Sequence, residues 1–359
     1  MIKRRMSIKR STRPIRPRTI CLMAAVGVVA IALLSLSTLR RYFWSPILNI
    51  KGGEAEFVYI PTGASYDDVV TILSADGRLT DPEALDVMSS LMGYKSRVKS
   101  GKYKLEASLS VRALVTKLRG GFQEPVRLTF NNVRSLEQLA GVAGRYLEAD
   151  SAELIAAMKD SALLSELGFE PRTSVAMFLP DSYEIWWNTP PEAWVKKMCT
   201  EYHRFWSPVR LAKADSIGFS PLHVTTLASI VEEESNITED QKVIAGLYIN
   251  RLRIGMPMQA CPTIKYALGD FAKRRVTYAD TQVDSPYNTY KHQGLPPGPI
   301  RITSKSVIDA VLNYTPSEYL YMCARPDGSG RHDFARTLAG HQRNAANYHR
   351  SLNTKRIYR

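Results

Sequence analysis

The segment LASIVEEESNI, residues 227–237, places three consecutive glutamates at the end of an apolar stretch. A carboxyl group can protonate a departing oxygen at neutral pH only if its surroundings keep the proton on it. Orientation therefore separates the three. Ser220-Pro221 is a strong helix start, with serine as N-cap and proline at the first helical position. At about 100° per residue, Val224, Leu227, Ala228, Ile230 and Val231 define one apolar face. Their mean direction falls roughly 45–50° from Glu234, well over 100° from Glu232 and nearly opposite Glu233. Glu233 is expected in solvent, Glu232 at the border and Glu234 turned inward. An inward glutamate is desolvated, which raises its pKa and suits a general acid. Periodicity equally allows Glu234 to be ion-paired with Arg251 or Arg253 inside the fold.

The elements that must hold this glutamate follow it directly. Thr238-Glu239-Asp240-Gln241 has the form of a capping box, opening a helix that ends at Gly255. Two helices thus meet at residues 236–238, with Glu234 near the bend. GMPMQACPTIKYALGD then reads as a loop and short helix rich in polar groups, and GLPPGPI as a rigid turn. His332, Asp333 and His341 could suggest a metal hydrolase. The histidines are nine residues apart, no HExxH element exists and no third ligand is evident, so packing or turn roles are expected and no metal or other cofactor is implied.

Composition bounds the remaining classes. The chain has 359 residues, 45% hydrophobic and 23% charged, as in a globular protein. Ten Lys/Arg and no acidic residue lie in the first 41 positions, so of the net +14 only +4 belongs to the other 318 residues. The positive charge is thus N-terminal, and nucleic-acid binding loses its support. Between Arg18 and Arg40 run about 20 uncharged, mainly apolar residues, enough for one membrane-spanning helix. Positive residues before it place the N-terminus in the cytoplasm and the rest outside, with Tyr42, Phe43 and Trp44 at the outer interface. A cleavable signal peptide is the rival; the apolar run is long for one, and no clean cleavage site precedes Arg40. Cys21 falls in this span, leaving Cys199, Cys261 and Cys323 outside. An odd, widely spaced set makes neither a disulfide framework nor a zinc site.

Upstream of the glutamates, FVYIPTG and SGKYKL read as strands. SYDDVVTILSADG, DPEALDVMSSLMGY and SVRALVTKLRGG read as helices stopped by glycine, with Asp81-Pro82 and Ser110 as starts. This strand–helix–helix–strand pattern has the look of a LysM-like module, which implies glycan contact. EPVRLTF is a further strand, Ser135 caps a helix, and another helix begins after Pro190-Pro191. FLPDSYEIWW reads as a turn with an aromatic cluster. Trp186 and Trp187 could stack on sugar rings or simply pack.

Five ordered segments carry a resemblance: ASIVEEES, NRLRIGMPMQACPTIKYALG, SPYNTY, GLPPGPI and GRHDFARTLAGHQRN. With the upstream module and FLPDSY, they resemble the endolytic murein transglycosylase (YceG-like) family over most of the chain. The resemblance implies a single-pass inner-membrane protein that cleaves peptidoglycan glycan strands with one glutamate, leaving 1,6-anhydro-N-acetylmuramyl ends. It implies Glu234 as the catalyst, with Glu232 and Ser235 in support. Gln259, Thr263, Tyr266, Asn288 and Tyr290 are the matched polar residues expected along the cleft, or else in structural loop bonds. It also implies cell-wall synthases, the penicillin-binding proteins, as partners. Where the family commonly reads Gln-x-Asp-Pro-Thr, this chain has Gln259-Ala260-Cys261-Pro262-Thr263. A thiol there cannot match the carboxylate's charge at neutral pH unless its pKa is greatly lowered. An anchored, non-catalytic peptidoglycan-binding scaffold is the alternative.

The expected architecture is α+β. It comprises a basic cytoplasmic tail (1–19), a transmembrane helix (20–39), a linker (40–54) and the LysM-like module (55–121). A mixed, mainly helical catalytic region follows (122–359, core 220–345).

Overall fold

The computed structural model describes residues 17–50, 55–273 and 275–354. Most of the basic tail, and residues 51–54 of the linker, lie outside the described residues. The chain divides into two compact units, residues 1–124 and 125–359.

The first unit comprises helix α1 (Pro17–Phe43), strand β1 (Glu56–Ile60), helices α2 (Tyr66–Ser74) and α3 (Pro82–Leu91), strand β2 (Gly101–Leu105) and helix α4 (Val111–Gly120). Within α1, the 23 residues Cys21–Phe43 are long and apolar enough to cross a membrane, by length and composition. The helix continues four residues beyond the expected end at Leu39, and Arg41 pairs with Asp81 and Glu83 at its end. Trp44 is exposed, while Tyr42 and Phe43 rest on the core of this unit. Residues 46–50, within the expected linker, are built into the unit. Ile47, Leu48 and Ile50 are buried, and bridges join Pro46 to Ser110 and Leu48 to Leu79. Strands β1 and β2 run antiparallel, with Val58 opposite Tyr103, both buried. Asp81 and Ser110 cap α3 and α4 through their side chains, and Gly121 ends α4 in the left-handed region.

The second unit opens with strand β3 (Val126–Phe130), then helices α5 (Leu136–Ala143), α6 (Ser151–Lys159) and α7 (Ser161–Glu166), and strand β4 (Asp181–Ile185). Helices α8 (Pro191–Phe205), α9 (Pro208–Ile217), α10 (Pro221–Glu234), α11 (Thr238–Arg253) and α12 (Cys261–Leu268) follow. Helix α13 (Lys305–Leu312), the hairpin β5 (Tyr321–Ala324) and β6 (His332–Ala335), and helix α14 (Leu338–Thr354) complete it. The segment expected as a turn with an aromatic cluster holds β4, which pairs antiparallel with β3, Tyr183 opposite Leu128. Tyr183 and Ile185 point inward while Ser182 and Glu184 do not, the alternation of a half-buried strand.

Helix α10 is the centre of this unit. Val224 to Val231 are all buried, including Thr225, Thr226 and Ser229. Ser229 Oγ accepts the Ile300 N–H at 3.0 Å, so the polar side of the helix is covered by the segment that follows residue 299. Enclosure is complete over these eight residues, and the three glutamates that follow are half-buried.

The expected capping box does not form. Ile237 is the N-cap of α11 and no side chain caps it. Asp240 is buried and bonds to His332, while Gln241 Nε2 donates to the Ser235 carbonyl at 2.7 Å. Thr238 is the first helical residue instead of the cap, and Gln241, the residue that would reach back from N3, is taken by the Ser235 carbonyl.

Close packing beside the site makes one glycine testable. A Cβ on Gly246 of α11 would fall 2.5 Å from the Thr315 carbonyl oxygen, a backbone atom. Thr315 N–H is itself bonded to the Lys242 carbonyl at 3.0 Å, so neither side yields easily. Gly246→Ala is expected to destabilise the fold by about 1–3 kcal/mol in thermal melts. Gly141→Ala, in open space on α5, is the control and gains up to about 1 kcal/mol from helix propensity.

Candidate active site

Glu234 is the last residue of α10, and extended Ser235 turns the chain away from the helix axis. Ser235 Oγ accepts the Ile237 N–H at 3.1 Å, and its carbonyl holds Gln241. The corner is thereby fixed, and Ser235, itself buried, stiffens it.

The three carboxylates have three different environments. Glu232 accepts from Ser304 N–H at 3.0 Å and Ser304 Oγ at 2.5 Å, binding α10 to the start of α13. Glu233 is not solvated as expected. Arg301 bonds its Oε1 at 2.5 Å and Arg134 its Oε2 at 2.7 Å. Those arginines come from distant segments, and a helical wheel takes no account of what covers its far side. Glu234 has no ion-pair partner among the described residues. Its Oε1 accepts the Tyr248 hydroxyl proton at 2.9 Å. Arg251 instead bonds the carbonyls of Leu320 and Met258 at 2.6 Å each, and Arg253 donates to Tyr314 at 3.3 Å.

Burial is the dominant influence on the Glu234 carboxyl and raises its pKa. The Tyr248 hydrogen bond, the His332 ring whenever it is protonated and the Lys265 charge oppose this, and Glu233 adds to it. Burial also raises Tyr248 well above the usual phenol range, so that it stays a donor. Glu234 thus remains protonated to higher pH than an ordinary glutamate.

This carboxyl opens onto a cavity of about 360 Å³, of which Tyr248, Arg251, Gln259, Cys261, Tyr290 and His332 form much of the wall. Met322, Cys323 and His341 close it from the side of β5 and α14. Of the five matched polar residues, Gln259 and Tyr290 border it. Gln259 has φ +49°, a left-handed conformation uncommon outside glycine; its N–H bonds to the Thr289 carbonyl at 3.1 Å.

Thr263, Tyr266 and Asn288 do not line this cavity. Thr263 is fully buried and bonds Ala260 O and Thr289 Oγ1, each at 2.8 Å. Asn288, also buried, donates to the carbonyls of Thr281 and Val283 and accepts from Tyr290 N–H. Tyr266 packs on Tyr287, ring centroids 4.7 Å apart. These three shape the loops that carry Gln259 and Tyr290. Trp186 is exposed and Trp187 packs on the core of the unit; neither borders the cavity.

Sequence reasoning missed Tyr248 and Arg251 as wall residues and took His332 only as a weak metal candidate. Tyr248 was findable: it lies on the inner face of the helix that leaves the bend beside Glu234. Asp333, the third of that trio, pairs with Arg325 at 3.0 Å.

Cys261 stands at the rim, its Sγ 3.2 Å from the Tyr290 hydroxyl, and burial pushes its thiol up, so it is neutral at pH 7. A carboxylate there would add a like charge beside Glu234. Cys261→Asp is therefore expected to raise the Glu234 pKa further and move the alkaline limb of the pH–rate profile up by about one unit. Cys261→Ser leaves that limb in place. The measurement is product release against pH for the three proteins.

Fold and site together define a mixed α/β protein in which a desolvated acid, without an ion-pair partner among the described residues, faces a polar cavity. Residues 58–347 match the YceG-like family, and the chain belongs to that family. It is 28% identical over 320 residues to the "Endolytic murein transglycosylase" of Bacillus subtilis (strain 168), covering 83% of this chain and 86% of that protein. A protein of the same name from Streptococcus pneumoniae serotype 2 (strain D39 / NCTC 7466) is 29% identical over 342 residues. That match spans 86% of this chain but 61% of the pneumococcal protein. The crystal structure of a YceG-like protein from Listeria monocytogenes superimposes with a TM-score of 0.54 at 28% identity, covering 81% of this chain and 98% of that one.

Proposed function

We propose that this protein is an endolytic murein transglycosylase, a lyase cleaving the bond between N-acetylmuramic acid and N-acetylglucosamine within glycan strands. The carrying observation is Glu234: desolvated, raised in pKa, without a cationic partner among the described residues, and open to a cavity. Family membership and the names of the relatives support the same reading.

Glu234 donates its proton to the glycosidic oxygen, and C1 of the muramyl ring gains oxocarbenium character. The muramyl 6-hydroxyl then closes on C1 as the glycosidic bond breaks, giving the 1,6-anhydro end. Its proton returns to the Glu234 carboxylate, which resets the site. Because the sugar supplies the nucleophile, a second enzyme carboxylate is unnecessary, in keeping with Glu232 and Glu233 being committed to Ser304, Arg301 and Arg134. Tyr248 steadies one carboxyl oxygen and leaves the other for the substrate. Gln259 and Tyr290 bind sugar substituents from the cavity wall.

In this reading α1 anchors the protein in the cell inner membrane with its N-terminus cytoplasmic. The first unit acts as a LysM-like glycan contact, supported by its β1–α2–α3–β2 order. Cleavage ends nascent strands near the penicillin-binding proteins that make them. Incubating the detergent-solubilised full chain with purified sacculi, followed by mass spectrometry, tests the function. Anhydro-ended fragments, one water lighter than hydrolytic products, are expected, and sacculi bound but uncut would establish the scaffold reading instead.

A further inference from the structure

The cavity that holds the acid also borders one member of a second pair, His332 with Asp240, that the one-glutamate scheme leaves idle. His332, the first residue of β6, donates its backbone N–H to Asp240 Oδ2 at 2.8 Å, and its Nδ1 lies 2.9 Å from the same oxygen. Asp240 is buried at the start of α11, two turns before the Tyr248 that holds Glu234. A carboxylate accepts at Nδ1 only if that nitrogen carries the proton, which leaves Nε2 of a neutral imidazole with its lone pair. His332 borders the Glu234 cavity, close enough that the imidazolium formed on taking up a proton acts on that carboxyl. Asp240 has no cationic partner other than His332 among the described residues, so orienting this ring is what its burial achieves.

Resting on the transglycosylase reading, we propose that His332 is a second catalytic residue, the first acceptor of the muramyl 6-hydroxyl proton, with Asp240 as its positioning residue. Tyr248 occupies Oε1 of Glu234, so a single carboxyl oxygen faces the substrate. That oxygen has just delivered its proton to the leaving oxygen, and a separate acceptor lets the 6-hydroxyl ionise while delivery is under way. The step balances. The O6–C1 bond forms and the C1–glycosidic oxygen bond breaks; the Glu234 proton goes to the leaving oxygen and the O6 proton to His332 Nε2. The imidazolium then returns its proton to the Glu234 carboxylate, and no net charge remains.

The test uses the full chain on purified sacculi, reading anhydro-ended products. His332→Ala is expected to lower kcat by about 10²–10⁴-fold, the usual contribution of general base catalysis, with KM within about threefold. Added imidazole restores at least about a tenth of the loss in His332→Ala, a response that lost packing alone would not give. Asp240→Asn lowers kcat in the same direction at unchanged KM and serves as the second variant if His332→Ala folds poorly. A His332→Ala kcat within threefold of wild type, or a folded His332→Ala variant that imidazole leaves inactive, overturns the proposal. Either result leaves the function itself intact so long as Glu234→Gln is inactive; an active Glu234→Gln would instead remove the reading on which the proposal rests.

Discussion

Glu234→Gln is expected to lower the release of anhydro-ended fragments by at least about 10²–10⁴-fold, the usual worth of a positioned general acid. The amide keeps the shape and can still accept the Tyr248 hydroxyl proton, so the loss falls on proton donation alone. Binding to sacculi is expected to persist. Stability should move the other way. The Glu234 pKa is raised in the fold by burial, so its carboxyl becomes a liability as pH rises through that value, where the unfolded chain ionises more easily. Below the ordinary glutamate range both states are protonated and the liability vanishes. The glutamine variant should accordingly melt at or above the wild-type temperature, with its advantage growing as pH increases. Lost activity together with a lowered melting temperature would point to a disrupted fold instead of a missing proton.

Arg301→Met is expected to give the largest loss of stability among single substitutions near the site. Its guanidinium is almost wholly buried, bonds Glu233 Oε1 at 2.5 Å and lies 3.7 Å from Glu232. It also donates to Asn132 Oδ1 at 3.2 Å and the Ile302 carbonyl at 3.2 Å. Removing one partner of a buried ion pair costs about 3–5 kcal/mol, because the remaining charge is stranded. Arg134 still holds Glu233 and Ser304 still holds Glu232, which places the loss toward the lower end. At roughly 2–4 °C per kcal/mol for a unit of this size, melting should fall by about 6–12 °C. Arg134→Met, at a half-exposed position, should cost far less. Equal effects of the two would mean that burial does not govern this network.

The outcomes for the glutamate run show what a linear chain reveals. Asp81, Ser110, Ser135 and Ser220 each cap the helix expected of them, since a cap bonds within three residues of itself. The inward turn of Glu234 followed from the same local geometry. Glu233 did not, because its partners Arg134 and Arg301 lie 99 and 68 residues away. Strand β4 was concealed because its pairing with β3 supplies what its short, polar-rich stretch lacks. The capping box failed because the corner at Ser235 shifts the N-cap to Ile237 and the Ser235 carbonyl takes the Gln241 amide, which the sequence pattern alone does not show. Among the matched polar residues, Thr263 and Asn288 have side chains suited equally to a loop bond or a ligand. Only burial distinguishes these uses, and burial is a property of the fold.

The most direct measurement digests sacculi in H₂¹⁸O with wild type and Glu234→Gln side by side and weighs the new glycan ends. The account predicts anhydro ends free of ¹⁸O from the wild type, because the attacking oxygen belongs to the muramyl sugar, and no new ends from the variant. Heavy oxygen in reducing ends made by the wild type, or equal yields from the two proteins, would contradict it.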